Sequence, residues 1–398
     1  MNRLLQPFIL AVTLVLGAAF AYLVWRLTYA PWQCFALAVP FVLVWMVPAV
    51  YWARDREKHG PLDDWMQRAS YLSMAWLSFL FVFSLARDAL LLLAAASPAM
   101  SGVHEFLGGG VLLVYAASLL ALLIGALAAR RGPHVRHVDI AVEGLVPELE
   151  GFRIAQISDL HVGLNIRRRY VERVVEKAQA LAPDLVALTG DIVDKPIAHI
   201  EHDVAPLAAL APGGRAFFVL GNHDCYCGAE PWMAHFRSMG IRVLANSHEA
   251  VSKGGATLVV GGVVDPAARL YDRSLAPSPD AAAAGSPPGD FRLLLAHNPK
   301  LAPLAAAAGW DLQLSGHTHA GQFFPWTLVI HLFHTPHVAG LSREGKMWVY
   351  VSAGTGTWGP PVRMGTEPEL TLIRLVRASS SMAAERTTFC ATAQNCKS

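Results

Sequence analysis

A layered α/β domain preceded by an all-α transmembrane bundle of about four helices is the fold class that the sequence predicts, and three observations predict it. Apolar weight is concentrated before Arg130: the chain is 54% hydrophobic and only 16% charged, with a mean hydropathy of +0.38, whereas soluble domains are about one-quarter charged. From Val135 onward, short β-rich runs alternate with helical patterns, as strands layered with helices do. Several of those runs end in clusters of Asp and His. The 398 residues therefore divide into a membrane module over 1–132, a soluble domain over 133–378 and a polar, poorly ordered tail over 379–398.

Four apolar stretches build the first part: Pro7–Trp25, Phe35–Trp52, Tyr71–Ala96 and Leu107–Ala129. Each is close to the ~20 residues that a helix needs to cross hydrocarbon. Trp25, Tyr29, Trp32, Trp52 and Tyr71 stand near their ends, where interfacial anchors belong. A cleaved leader would account for the first stretch alone. Arg3, then Arg54, Arg56, Lys58 and Arg68, then Arg130, Arg131 and Arg136 fall on one side, with only Arg26 on the other. The positive-inside rule then makes this a multi-pass protein of the inner (cytoplasmic) membrane, with both termini and the soluble domain on the cytoplasmic side. Arg87 and Asp88 interrupt the third stretch. They read either as a helix end or pair within the bundle, or as an intramembrane site.

In the second part, strands are expected near Arg136–Val142, Phe152–Ile157, Leu185–Leu188, Ala216–Leu220, Arg242–Leu244, Thr257–Val260, Arg292–Leu295, Leu312–Leu314, Trp348–Val351 and Thr371–Leu375. The run RRRYVERVVEKAQAL places Tyr170, Val174, Val175 and Ala178 on one helical face. A second helix is expected over Trp232–Met239, stopped by Gly240. Ser274–Asp290 reads as a loop by composition. A net charge of +2 without a basic, aromatic-studded run indicates no nucleic-acid partner. Five scattered cysteines, Cys34, Cys225, Cys227, Cys390 and Cys396, make a poor disulfide framework and fit a reducing compartment.

The polar clusters follow strand ends: SDLH with Asp159 and His161, TGDIVD with Asp191, GNHD with Asn222, His223 and Asp224, AHNP with His297, and SGHTHAGQ with His317 and His319. Ligands gather at the carboxyl ends of strands in layered α/β domains. These imidazoles, carboxylates and one carboxamide exceed what a single four-coordinate ion needs. With no thiolate among them, the set suits two divalent ions of the Mn, Fe or Zn kind better than calcium. Asp191, at its centre, can bridge ions about 3.5–4 Å apart, the arrangement that activates a bridging hydroxide for in-line attack on phosphorus.

In this order the motifs DLH, GDIVD, GNHD, AHNP and GHTHAGQ resemble the calcineurin-like metallophosphoesterase superfamily, over roughly 139–376. The run YVSAGTGTWGPPVRMGTEPEL (Tyr350–Leu370) is similar to its bacterial membrane-associated branch. The resemblance implies a four-layer sandwich of two β-sheets between helices, with a dimetal site at one edge. It implies that Asp159, His161 and His319 hold one ion, that Asn222, His297 and His317 hold the other, and that Asp191 bridges them. His223 would protonate the leaving oxygen, with Asp224 orienting its ring. Two departures stand out. Cys225 and Cys227 follow GNHD, as a redox pair or soft ligand, or as small buried residues. Ala320 replaces the second glycine of GHTHGGQ, which matters if that position has positive φ.

Outside this set, His331, His334 and His337 are spaced by three, but Pro336 argues against a helix and they are expected in a loop lining the substrate entrance. Arg363 would either contact a substrate phosphate or pair on the surface with Glu367 or Glu369, and Trp310 and Trp348 are expected in the core. The function expected is a membrane-anchored dimetal phosphohydrolase acting on a phosphodiester or pyrophosphate, on a phosphorylated small molecule or a lipid-linked or nucleotide-sugar lipid substrate. The alternative is a membrane sensor or scaffold that binds phosphate ligands without turnover.

Overall fold

The computed structural model describes residues 7–53, 60–96, 98–270, 272 and 275–378. The expectations for Arg3, Arg54, Arg56, Lys58, Cys390, Cys396 and the 379–398 tail lie outside those residues. The chain forms two compact units.

The first unit takes the chain up to Arg131 together with Gly321–Val329 and Trp358–Thr366. Its helices are α1 (Pro7–Leu27), α2 (Pro31–Ala53), α3 (Pro61–Ala95), α4 (Ser101–Gly108) and α5 (Val111–Arg130). α3 starts on Gly60 and Pro61, and the Asp63 carboxylate accepts the Gly60 N–H at 2.9 Å. Proline at the first position and an acid in the first turn satisfy N–H groups that a helix start leaves open. Among the described residues only α3 and α5 are long and apolar enough to cross a bilayer. The apolar lengths described in the first two helices, Thr13–Leu27 and Pro31–Met46, are shorter. Against the expected count of about four spanning helices, the described residues give two candidate spans, α3 and α5.

Asp88 pairs inside this unit. Arg26 grips it with Nε and Nη2 at 2.7 and 2.6 Å, and the Tyr22 hydroxyl donates to it at 2.7 Å. Of the two readings of the Arg87–Asp88 interruption, the bundle pair is the one observed for Asp88. Leu23, Leu27, Leu37, Leu80, Val111 and Val114 make one buried cluster. Ala75 and Phe79 of α3 and Ala121 of α5 make another, with Phe323 and Val362 from the two later segments. Gly125 permits this approach, because a Cβ there would lie 2.5 Å from Val362 Cγ1; its carbonyl accepts the Arg363 N–H at 2.9 Å. Arg363 is thus buried (1% exposed) within the helical unit and not on the surface.

The second unit contains two mixed six-stranded sheets flanked by helices. One sheet has the order β1-β12-β2-β3-β4-β5, using β1 (His134–Val142), β2 (Arg153–Ile157), β3 (Leu185–Leu188), β4 (Ala216–Phe218), β5 (Arg242–Val243) and β12 (Glu369–Arg377). The other has the order β10-β11-β9-β8-β7-β6, with β6 (Ser247–Lys253), β7 (Ala256–Gly262), β8 (Phe291–Leu295), β9 (Leu312–Ser315), β10 (Gly340–Glu344) and β11 (Met347–Val351). β2 to β5 run parallel, as do β7, β8, β9 and β11. Parallel strands covered on both faces read as continuous apolar runs, and LVAL of β3 is buried at every position.

Three cores follow. Ile154, Leu185 and Phe217 of one sheet meet Leu258, Leu293 and Tyr350 of the other. α6 (Arg168–Ala180) buries Tyr170, Val171, Val174, Val175 and Ala178 on the outer face of the first sheet. α7 (Ile197–Val204) and α9 (Ala229–Ser238) add Ile200, Trp232 and Phe236 there. α10 (Pro279–Ala283) and α11 (Ala302–Ala307) cover the second sheet, and Trp310 is buried among them.

Three local expectations change. β6 and β10 are edge strands that the sequence reading leaves out. Ser274–Asp290 is not all loop: Ser278 caps α10 by accepting the Ala281 N–H at 3.1 Å. His331–His334 makes a single helical turn, labelled α13, ending before Thr335 and Pro336; Trp326–Val329 is α12.

Candidate metal centre

The parallel strands aim their carboxyl ends at one place. β2 leads to Asp159 and His161, β3 to Asp191, β4 to the one-turn helix α8 (Asn222–Tyr226), β8 to His297, and β9 to His317 and His319. Backbone bonds lock the loops together: Asp159 and His161 donate N–H to the carbonyls of Gly190 and Asp191, and Gly356 donates to Asp159. Beneath them, Gln156 Nε2 ties the sheets by donating to Thr189 Oγ1 and to the Ser315 carbonyl, both at 2.9 Å.

Two donor sets result. Asp159, His161 and His319 present one ligand atom each within 4.8 Å of one another, and so do Asp191, His297 and His317. Nε2 of His161 faces Nε2 of His319 at 3.0 Å, and His319 Nε2 lies 3.3 Å from Asp159 Oδ1. Asn222 Oδ1 joins the second set, 2.9 Å from His317 Nδ1. Asp191 Oδ2 stands between the sets, 3.2 Å from His297 Nε2 and 3.8 Å from His161 Nε2. The sequence-predicted ligands are thereby brought together.

The donor chemistry fits a cation. His297 Nδ1 is 2.9 Å from the Thr189 carbonyl, so it carries the proton and leaves Nε2 bare. That Nε2 is buried and makes no aligned hydrogen bond. His161 is set in the same way, with Nδ1 2.7 Å from Asp194 Oδ1. A buried imidazole nitrogen without a hydrogen-bond partner, beside a buried carboxylate, is what a divalent ion satisfies. Burial opposes a charge on His297, yet Asp191, Asp159 and Asp265 raise its pKa well above the usual range; these carboxylates draw positive charge to Nε2, which a divalent ion would supply in place of a proton. Burial likewise opposes ionisation of Asp191, and His297, His223 and His161 hold it well below. For His317, burial and the neighbouring His297 push the pKa down to about 3, so the ring is neutral and able to ligate.

Asp194 is the functional residue that the sequence reading passes over. Its Oδ1 lies 2.8 Å from His223 Nδ1 as well as 2.7 Å from His161 Nδ1. Although His161, Asp194 and His223 also form a possible ligand triad, this oxygen already meets two ring N–H groups and orients both. Burial opposes its charge, and the two histidines lower its pKa. The assignment of Asp224 as the group orienting His223 is corrected: Asp224 accepts the N–H of Gly221, Asp191, Ile192 and Val193 at 2.8–3.0 Å and so ties two metal loops together. The signal for Asp194 was present, as the second aspartate of GDIVD.

The loops are held in unusual backbone. Asp159, His161, Asp191, His317, His319 and Ala320 have φ between 50° and 73°. Such left-handed conformations cost non-glycine residues about 1–2 kcal/mol and cluster where function over-determines geometry. Ala320 needs the positive φ (53°) that its glycine counterpart adopts freely. Ala320→Gly is therefore expected to stabilise the protein by about 1 kcal/mol, read as a higher thermal midpoint; a lower midpoint contradicts it. Gly316 serves a different need, since a Cβ there would collide with the carboxylate of Asp159 and the hydroxyl of Ser158.

Cys225 and Cys227 are both buried in the apolar core and free of disulfides. Burial raises the Cys225 thiol, which disfavours a thiolate ligand or redox centre. Of the three loop histidines, His334 sets its ring 5.3 Å from that of His317. His337 is buried between Ser342 and Glu344, at 2.8 and 2.9 Å.

A family model for calcineurin-like phosphoesterases matches residues 152–321. A transmembrane protein with a metallophosphoesterase domain from Danio rerio is 34% identical over 311 residues, 76% of this chain and 71% of that protein. An uncharacterized metallophosphoesterase of Helicobacter pylori strain J99 is 35% identical over 246 residues, 61% of this chain and 64% of the relative, just under two thirds. Another, from Campylobacter jejuni, is 26% identical across 92% of this chain and 98% of its own.

Proposed function

This chain belongs to the calcineurin-like phosphoesterase family and is a metal-dependent phosphoesterase, and from that premise we propose a membrane-anchored dimetal phosphohydrolase that cleaves a phosphodiester or pyrophosphate bond in a lipid-linked substrate. The observation that carries this reading is the pair of donor sets meeting at Asp191, with the bare, buried Nε2 of His297 3.2 Å from its carboxylate. Asp159, His161 and His319 would hold one ion and Asn222, His297 and His317 the other, with Asp191 shared. Ions of the Mn, Fe or Zn kind would supply Lewis acidity at the phosphoryl group and lower the pKa of bound water.

The chain's own groups do the rest. Asp194 holds the His223 ring, whose pKa is opposed by burial but raised by Asp191 and Asp194 to about 9. At neutral pH His223 is an imidazolium that donates its proton to the leaving oxygen, as a general acid does. Asp224 keeps the loops of Asp191 and Asn222 in register through its four backbone bonds.

Membrane anchoring is supported by α3 and α5 and by the name of the Danio rerio relative. The basic residues Arg54, Arg56 and Lys58 precede α3, and Arg130 and Arg131 end α5, while residues 96–110 contain no Lys or Arg. With two passes alone, the positive-inside rule supports a cytoplasmic position for both basic ends and for the catalytic unit.

The test uses the full chain in detergent. Stripped of metal it should not hydrolyse bis-p-nitrophenyl phosphate, and Mn should restore turnover. No hydrolysis with any divalent ion refutes the enzyme reading. For sidedness, a C-terminal fluorescent fusion should light up and a phosphatase fusion stay inactive; the reverse pattern places the catalytic unit outside.

A further inference from the structure

α13 leaves an apolar pair uncovered beside the candidate metal centre. Leu332 is 81% and Phe333 63% exposed. His334, the next residue, has its ring 5.3 Å from that of the candidate ligand His317. The pair therefore stands within one helical turn of a side chain that touches the site. Adjacent large apolar side chains held out in solvent mark an interaction surface when they continue a longer apolar run. Leu328, in the preceding turn of the chain, is 63% exposed as well.

Two observations identify what covers the pair. The first is charge: between Asp311 and Glu344 the sequence has no Asp or Glu, but it has His331, His334, His337 and Arg343. Nothing in that run repels an anionic surface. The second is continuity. Gly321–Val329 belongs to the helical unit, where the Phe323 ring lies 5.7 Å from that of Phe79 on α3, a helix of spanning length. Ile330 follows Val329 directly, so α13 leaves a segment that is packed on a candidate membrane helix.

We propose that Leu332 and Phe333 insert into the headgroup–acyl boundary of the bilayer and deliver membrane-embedded phosphoesters to the metal centre. The inference rests on the reading of this protein as a membrane-anchored phosphohydrolase. It adds that specificity for a lipid-borne substrate resides in α13, while the chemistry resides in the loops. Apolar side chains that dock at this depth contribute by area buried; an aspartate in their place resists insertion and adds a charge that an anionic surface repels.

The experiment takes the full chain, loaded with Mn, in nanodiscs of phosphatidylethanolamine and phosphatidylglycerol. Two esters are compared: soluble bis-p-nitrophenyl phosphate, and a phosphatidyl ester of a fluorogenic alcohol embedded in the disc. The Leu332→Asp/Phe333→Asp variant should lower lipid turnover relative to soluble turnover by about tenfold or more. An unchanged ratio overturns the inference, as does a parent protein that cleaves the soluble ester but never the lipid one. If neither ester is cleaved with any ion, the phosphohydrolase reading is what fails. A second measurement decides the insertion independently of activity. With p-benzoylphenylalanine at position 333, irradiation should cross-link lipid to the peptide, as it should at the exposed Leu112 of α5. Lipid adducts at 112 and none at 333, or cross-links at 333 to protein only, overturn the proposal.

Discussion

Asp191→Asn is expected to lower kcat on bis-p-nitrophenyl phosphate by about three orders of magnitude. The substitution is nearly isosteric, and an amide oxygen can still accept the His223 N–H that Asp191 Oδ1 accepts at 2.8 Å. The backbone grip on the α8 turn therefore survives, and what is lost is charge. That charge stands between the two donor sets, 3.2 Å from one imidazole and 3.8 Å from another, on a side chain that is itself buried. Metal-borne stabilisation of phosphoryl transfer amounts to several kcal/mol. A loss of about 4 kcal/mol corresponds to three decades in rate. Metal content should fall together with activity while the far-ultraviolet circular dichroism stays that of the parent. Full metal content with parental kcat would remove Asp191 from its shared position.

His223→Ala should cost about 10²–10⁴-fold in kcat, the range of a general acid, with metal content intact. The loss should be larger for an alkyl leaving group than for p-nitrophenolate, which departs without a proton. The sign of the pH dependence follows from the raised pKa of about 9. The acid form is present below that value, so activity falls as pH rises through it. Ions in the site add positive charge nearby, so the limb lies no higher than about 9. Asp194→Asn removes one cause of the rise and should shift the limb to lower pH. It should also cost about 10–100-fold in activity or metal affinity, as loss of a carboxylate that orients a ligand does. A basic limb that persists unchanged in His223→Ala would assign it to another group.

How much of this was legible depends on how local each signal is. The buried strands LVAL and FRLLL are apolar runs, so β3 and β8 were readable directly. β6 (SHEAVSK) and β10 (GLSRE) were not, because an edge strand with one wet face carries little apolar pattern. Both are paired antiparallel to a neighbour and take their structure from it. The ligands were legible because each follows a strand end. The orienting carboxylate was not, since adjacency along the chain misleads on a helix: consecutive residues of α8 point some 100° apart. Asp224 therefore turns to the backbone while Asp194, 29 positions before His223 in the sequence, reaches the ring. Of the four apolar stretches, those in α3 and α5 stand as candidate spans among the described residues.

The excursion of Gly321–Val329 and Trp358–Thr366 into the helical unit has a practical consequence for preparing this enzyme. Cutting the chain after Arg131 to obtain a soluble catalytic half would not be a clean excision. It would strip Phe323 and Val362 of Phe79, Ala75 and Ala121, their apolar neighbours. It would also leave the Arg363 N–H without the Gly125 carbonyl that accepts it. The first of the orphaned stretches begins two residues after His319. Such a fragment would bring sticky, unsupported loops into water, one of them two residues along the chain from a candidate metal ligand. Purification is better planned around the whole chain in detergent or nanodiscs from the outset.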